Sequence, residues 1–155
     1  APNKIETVFP TFVNVSKQKV RGYDLLTRYE KDFSFGKLDV EGQFTYMVED
    51  FSRTFSPTAS DGLATNERNG TIGRPKLVGS LRSGLKRGDW TYTWAGEYVD
   101  ETRRLSPLAS TTYFGFPNAV HDTVAEARLY HTVSVHYERP KWSVLVGIRN
   151  LLDED

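Results

Sequence analysis

The chain has 155 residues, which is enough for one domain with a core of its own. Twenty basic residues balance twenty acidic residues, so no net charge favours binding to nucleic acid. The absence of cysteine excludes disulfides, zinc thiolate sites and cysteine nucleophiles.

Apolar and polar residues alternate along most of the chain, which predicts β-strands with one apolar face. Within residues 37–55, Leu38 and Val48 lie on one predicted face and Asp39 and Glu49 on the other. The predicted strands lie near 5–13, 23–30, 37–55, 75–87, 90–101, 126–138 and 142–149. The first is weak because a proline interrupts it. We therefore predict an all-β fold, an antiparallel meander of about six or seven long strands.

The connections between the predicted strands alternate between short and long. Three are tight, at 33–37, 87–89 and 138–141, whereas those at 56–74 and 105–124 are long. Barrels of the bacterial outer membrane show the same asymmetry, with tight turns on the periplasmic side and long loops outside.

The alternation by itself leaves two arrangements open. A soluble barrel of the lipocalin type turns its apolar face inward around a ligand, whereas a membrane barrel turns it outward toward lipid. Strand length favours the membrane barrel, because an average strand has only about 5–6 residues. We therefore expect Leu81, Trp94 and Val135 to touch lipid, and Glu41 and Arg82 to border an aqueous or protein-filled interior.

Aromatic residues cluster at the strand ends beside the short connections. An amphipathic ring is stable where hydrocarbon meets lipid headgroups, which is why membrane barrels carry aromatic girdles. The predicted membrane-interface aromatics are Phe33, Phe35, Trp90, Tyr137 and Trp142. The alternative is that they are core aromatics that flank turns.

The number of strands is too small for a closed membrane barrel, since the smallest have about eight. An open sheet edge in lipid would leave backbone hydrogen-bonding groups unsatisfied. We therefore expect residues 1–155 to be one partial barrel domain, an arc of a large transmembrane β-barrel with further strands on both sides.

Three stretches of the chain resemble the TonB-dependent receptors of the Gram-negative outer membrane. They read FVNVSKQKVRGYDLLTRYE (12–30), GRPKLVGSLRSGLKRGDWTYTWAGEYVDE (73–101) and YHTVSVHYERPKWSVLVGIRNLLDED (130–155). The third is similar to the penultimate hairpin of that family, which ends in Asn-Leu-aliphatic-Asp-Glu. In the family, a last strand with a terminal aromatic residue follows this hairpin, and it is absent here.

The resemblance implies a transporter rather than an enzyme, with no cofactor, in the outer membrane of a Gram-negative bacterium. Such receptors import scarce small molecules, such as ferric siderophores, cobalamin or sugars, with energy that the TonB system relays to a plug domain. The implied partners are outer-membrane lipid, the remaining barrel strands and plug of the same protein, the TonB system and a small-molecule ligand, but no nucleic acid. This chain would supply barrel wall and two outside loops.

The second long connection contains exposed aromatics that could stack on a ligand or pack against neighbouring loops. Arginines near the loop bases and on the polar face could meet an anionic ligand. The loop and lumen candidates for ligand binding are Tyr113, Phe114, Phe116, His121, Arg104 and Arg82. His131 and His136 lie five residues apart on one strand and therefore on opposite faces, so we predict no shared metal.

Two alternatives remain open. One is a different outer-membrane channel or adhesin barrel, which would need no plug domain. The other is a soluble β-barrel that binds a small apolar ligand and stays in solution without detergent.

Overall fold

The computed structural model describes residues 17–56, 63–106 and 121–154, which form nine strands. The strands are β1 (Lys17–Phe33), β2 (Gly36–Phe55), β3 (Leu63–Glu67), β4 (Leu77–Arg87), β5 (Trp90–Val99), β6 (Thr102–Arg103), β7 (Val124–Ala125), β8 (Arg128–Arg139) and β9 (Trp142–Ile148). One antiparallel sheet has the order β1-β2-β4-β5-β8-β9, with β3 also paired to β2. The predicted all-β meander is confirmed.

Within the described ranges, no helix is long and apolar enough to cross a membrane.

The six long strands match the predicted segments, but their ends and the long connections differ in detail. β1 begins at Lys17 rather than near residue 23, and the weak segment near 5–13 lies outside the described residues. The connection 56–74 was predicted to be a loop, yet it contains β3, which pairs with the end of β2. β6 and β7 likewise pair at the base of the second long connection. These strands are too short to show an alternating pattern.

The three short connections lie along one rim of the sheet, because each joins two strands that are antiparallel neighbours. They are tight turns at 34–35, 88–89 and 140–141. Gly88 has φ of 59°, a left-handed conformation that glycine adopts without steric cost. We call this side of the sheet the short-turn rim.

The main sheet is a single layer without a covered core. No apolar side chain of the described residues is buried. Leu25, Val146 and Ile148 are 60%, 65% and 55% exposed. Soluble domains bury the apolar face of a sheet against another layer, so this face needs an apolar environment that the described residues do not supply.

Aromatic rings cover glycines on neighbouring positions of the sheet. The ring of Phe44 lies over Gly79, its partner across β2 and β4, so closely that a Cβ atom there would lie 2.3 Å from Cδ1 of the ring. The indole of Trp94 covers Gly96 in the same way, with Cη2 at 2.9 Å from such an atom. Each glycine therefore gives a neighbouring ring room to lie flat on the sheet.

We expect Gly79→Val to lower the free energy of unfolding by about 1–3 kcal/mol, because the new side chain displaces the Phe44 ring. Urea unfolding of the receptor in lipid vesicles, followed by tryptophan fluorescence, measures this change. Ser83→Val is the matched control, since Ser83 lies on the same strand and the same face. Equal effects of the two substitutions would contradict the packing described here.

Candidate functional site

The pairing register sorts the side chains of the long strands onto two faces, because directly paired residues share a face and successive residues alternate. The apolar face includes Leu38, Val40, Leu81, Leu85, Trp94, Val133, Val135 and Ile148. The polar face includes Asp24, Arg28, Glu30, Asp39, Glu41, Ser80, Arg82, Glu97, Ser134 and His136. The pairing register confirms that Glu41 and Arg82 lie on one face of the sheet. Leu81, Trp94 and Val135 lie on the other, as predicted.

A β-bulge interrupts the alternation near the far end of β1 and β2. The register shifts between Arg21 and Gly22, which pair with Glu49 and Met47 and leave Val48 as the extra residue. Glu49 therefore shares a face with Arg21, and not with Asp39 as the sequence pattern predicted. The prediction was wrong because period-two counting cannot detect an inserted residue.

All five predicted interface aromatics lie at the short-turn rim. Phe35 is in the first turn and stacks on Phe33, with ring centroids 5.1 Å apart. The ring centroids of Trp90 and Tyr137 are 4.4 Å apart, and those of Tyr137 and Trp142 are 5.3 Å apart. Three neighbouring strands, β5, β8 and β9, thus carry a continuous row of rings on the apolar face.

A second group of rings lies on the apolar face farther along the strands, away from the short turns. It consists of Tyr23, Tyr46 and Tyr98, which we call the tyrosine belt. Tyr23 lies ten residues from Phe33, and Tyr98 lies eight residues from Trp90. The sequence analysis missed this belt because no tight turn marks its position. The recurrence of aromatics after eight to ten residues is the signal that could have found it.

Polar groups on the apolar face bond to each other between the two aromatic groups. The indole Nε1 of Trp94 donates to Nδ1 of His131 at 3.3 Å. His131 pairs with Gly96 on this face, whereas His136 pairs with Thr91 on the other, as their spacing predicted. The bond satisfies two polar groups that would otherwise be unpaired in an apolar environment.

The polar face carries charges of both signs that pair within and across strands. Glu30 accepts from Arg28 at 2.5 Å and lies 3.3 Å from the ammonium of Lys37. Arg82 Nη1 donates to Asp39 Oδ2 at 2.7 Å. An open cavity of about 410 Å³ lies beside Arg28, Arg82 and the intervening part of β2. This face can therefore accommodate water or a polar protein surface.

A buried carboxylate anchors the first long connection to the sheet. Asp50 is only 2% exposed and accepts from Arg68 at 2.7 Å and from Arg74. Asn69, which is 6% exposed, donates from Nδ2 to the carbonyl oxygens of Met47 and Val48 at 3.0 and 3.2 Å. The side chains of Arg68, Asn69 and Arg74 thus bind residues 68–74 to the outer part of β2.

The two long connections are also bonded to each other. The amide of Arg103 donates to the carbonyl of Gly70 at 2.9 Å, and the amide of Ile72 donates back to Arg103 at 3.0 Å. Arg103 precedes the second long connection, so the segment anchored by Asp50 supports the base of that connection. We call this bonded group, residues 67–74 with 102–106 and 121–125, the loop platform.

Two of the predicted ligand contacts lie together on the loop platform. Arg104 Nη2 donates to the carbonyl oxygen of His121 at 3.1 Å, and its amide donates to Thr123 at 2.8 Å. The side chains of Arg104 and His121 are both exposed. Arg82 lies on the polar face in the middle of β4 and is not part of this group. Tyr113, Phe114 and Phe116 lie outside the described residues.

We expect Asp50→Asn to loosen the loop platform, because it removes the charge that binds Arg68 and Arg74. The cost should be about 1–3 kcal/mol, seen as faster tryptic cleavage after Arg68 in the folded receptor. Sequence reasoning missed Asp50 because its burial depends on the bulge.

Glu49→Gln is the matched control for this substitution. The hydrogen bond from Lys19, aided by the charge of Arg21, lowers the pKa of the half-buried Glu49 carboxyl. Its contribution to stability is present above the unfolded-state pKa and is lost as pH falls through the folded-state pKa. Cleavage as fast in Glu49→Gln as in Asp50→Asn would contradict the anchoring role of Asp50.

Comparison with known proteins agrees with this geometry. The family model described as "TonB dependent receptor-like, beta-barrel" matches residues 2–151, nearly the whole chain. No curated protein and no solved structure matches it. The matched residues include every strand of the single-layer sheet, and this family consists of transporters rather than enzymes. The chain therefore belongs to the TonB-dependent receptor-like β-barrel family, which implies an outer-membrane receptor.

Proposed function

We propose that this chain forms part of the barrel wall and outside loops of a receptor that takes up a scarce ligand with energy from the TonB system. The apolar face without any buried side chain among the described residues is the observation that carries the proposal. Family membership supports it at the level of outer-membrane transport. It also argues against the soluble barrel and the unrelated channel or adhesin.

The apolar face is proposed to touch lipid between the two groups of aromatic rings. The eight to ten residues between them span about 26–33 Å along a strand and about 19–27 Å across a membrane at the usual strand tilt. The apolar band of an outer-membrane barrel is about 25 Å tall. In this arrangement Phe33, Phe35, Trp90, Tyr137 and Trp142 lie at one membrane interface and the tyrosine belt lies at the other.

The two outer strands of the sheet require partners in lipid. Among the described residues, β1 pairs only with β2 and β9 pairs only with β8. Each unpaired backbone group in hydrocarbon costs several kcal/mol, so both free edges must be paired within a closed barrel. We assign these partners to further strands of the same protein.

The polar face is proposed to border the plug domain. Its cross-strand charges remain solvated or paired in such an interior, whereas they would be costly in lipid. The plug can present acidic groups to Arg28 and Arg82. It can present basic groups to Glu30 and Asp39. In this arrangement the loops and the lumen capture the ligand selectively. Movement of the plug then accompanies transport.

The loop platform is proposed to face the outside and to contribute to ligand capture. The long connections and the short turns lie at opposite ends of the strands, which supports a periplasmic position for the short turns. Arg104 and His121 are the described candidates for ligand contact, with Arg82 in the lumen and Tyr113, Phe114 and Phe116 in the loop. The ligand class is a ferric siderophore, cobalamin or a sugar.

Spin labels on neighbouring residues test which face touches lipid. Residues 1–155 contain no cysteine, so Leu81→Cys and Ser80→Cys can be labelled singly in the receptor in liposomes once any cysteine elsewhere in the receptor is replaced by serine. We expect the label at 81 to collide mainly with oxygen, which concentrates in lipid, and the label at 80 mainly with a water-soluble nickel chelate. Val135→Cys and Ser134→Cys form a second matched pair on β8. The reverse accessibility would overturn the proposed orientation.

Uptake by cells tests the transport function and the loop candidates. A strain that depends on the complete receptor should accumulate one of the three labelled ligand classes, and an uncoupler of the proton-motive force should abolish accumulation. For an anionic ligand, we expect Arg104→Gln to raise the half-saturating concentration about tenfold, because a charge-assisted hydrogen bond contributes about 1.5–3 kcal/mol. Lys86→Gln, at the short-turn rim, is the control and should leave uptake unchanged. Uptake that persists in the presence of the uncoupler would argue for a passive channel instead.

A further inference from the structure

Between the short turns and the tyrosine belt, the few charges on the apolar face all have the same sign and lie at one rim. Between the short turns and the tyrosine belt, the paired positions of this face carry three charged residues, Lys31, Arg87 and Arg139. All three are cations, and each lies within three residues of a short turn. No carboxylate occupies a paired position in the same region. A face with one sign of charge at one height favours an anionic partner at that height.

Most of these rim cations are not neutralised within the described structure. Lys31 lies over the ring of Phe33 at 5.1 Å, and neither it nor Arg87 forms an ion pair with a described residue. Arg139 differs, because it pairs with Asp89 at 3.1 Å and donates to the hydroxyl of Tyr137 at 2.6 Å. The cations of the polar face that were described above are instead bound to Glu30 and Asp39. The rim thus keeps positive charge available on its lipid side.

The third short turn adds a shaped depression to this charge. A shallow cavity of about 520 Å³ is lined by Tyr137, Arg139, Pro140, Lys141 and Trp142. Lys141 forms no ion pair within the part of the chain that the structure describes. The rings and the proline give the depression an apolar wall, and the two cations give it anion-binding groups. This combination matches the boundary of a bilayer, where a phosphate sits directly above methylene groups.

We propose that the short-turn rim is a docking surface for the phosphates of anionic phospholipids in the leaflet that meets the short turns. Arg87, Arg139 and Lys141 contact the phosphodiester, and Tyr137 and Trp142 pack against the glycerol and the first methylenes. A guanidinium suits this task because its planar fork can bind two phosphate oxygens. Zwitterionic lipids bind less well, because their own ammonium group meets the same cations. The inference rests on the proposed function only in requiring that the apolar face meets lipid.

Native mass spectrometry of the complete receptor in detergent, titrated with phosphatidylglycerol or phosphatidylcholine, tests this docking surface. We expect phosphatidylglycerol to bind more tightly. Arg87→Gln should weaken its binding about fivefold, and adding Lys141→Gln should weaken it about fivefold again, since each cation near an anionic surface contributes about 1 kcal/mol. Lys86→Gln is the matched control, because Lys86 has the same charge at the same rim but lies on the polar face. It should leave binding unchanged.

Two further measurements keep the inference falsifiable if a glutamine variant fails to fold. Arg87→Lys keeps the charge and should retain the preference for phosphatidylglycerol. Binding of this lipid to the unaltered receptor should also weaken as salt concentration rises, because the contact is electrostatic. Equal binding of the two lipids, a preference insensitive to salt, or an equal loss in Lys86→Gln would overturn the inference.

Failure of this inference can be distinguished from failure of the proposed function. A receptor in which the label at Leu81 is as accessible to water as the label at Ser80 does not have the proposed lipid face. A receptor that embeds with the expected faces but binds both lipids equally lacks only the docking surface.

Discussion

The backbone hydrogen bonds of the sheet are the interaction on which every other feature of this chain depends. In hydrocarbon no water can satisfy a peptide group, so the strands can cross only as members of a continuous ladder. That ladder fixes the register, and the register fixes which side chains share a face. A slip of one residue would turn Leu81 to the polar face and Arg82 to the apolar face. The ladder therefore specifies sidedness as well as satisfying the backbone, without help from a buried core.

Because the main sheet is a single layer, its side chains pack along the sheet rather than against a second layer. Glycines such as Gly79 and Gly96 are not turns or hinges but flat positions on which the rings of Phe44 and Trp94 lie. These rings contribute contacts along the sheet that a second layer would supply in a soluble domain. The bond between Trp94 and His131 follows the same logic, because polar groups on this face must find their partners within the face.

The sequence predicts the parts of the fold that repeat and misses the parts that depend on one inserted residue. Period-two alternation and tight turns located the six long strands, their two faces and the rim aromatics from Phe33 to Trp142. They could not locate β3, whose five residues are paired only because β2 extends beside them. They also placed Glu49 on the wrong face. Alternation is a local signal, whereas a bulge is visible only in the pairing of two strands.

That bulge separates the two environments of β1 and β2. It begins one residue beyond the pair Tyr23 and Tyr46, where the tyrosine belt ends. With one extra residue in β2, Asp50 turns away from the face of Tyr46 and can accept from Arg68 and Arg74. Without the bulge, the strict alternation suited to lipid would place this carboxylate on the apolar side. The bulge thus lets one strand carry the apolar face below and anchor the loop platform above, so the long connections can change while the register of the sheet stays the same.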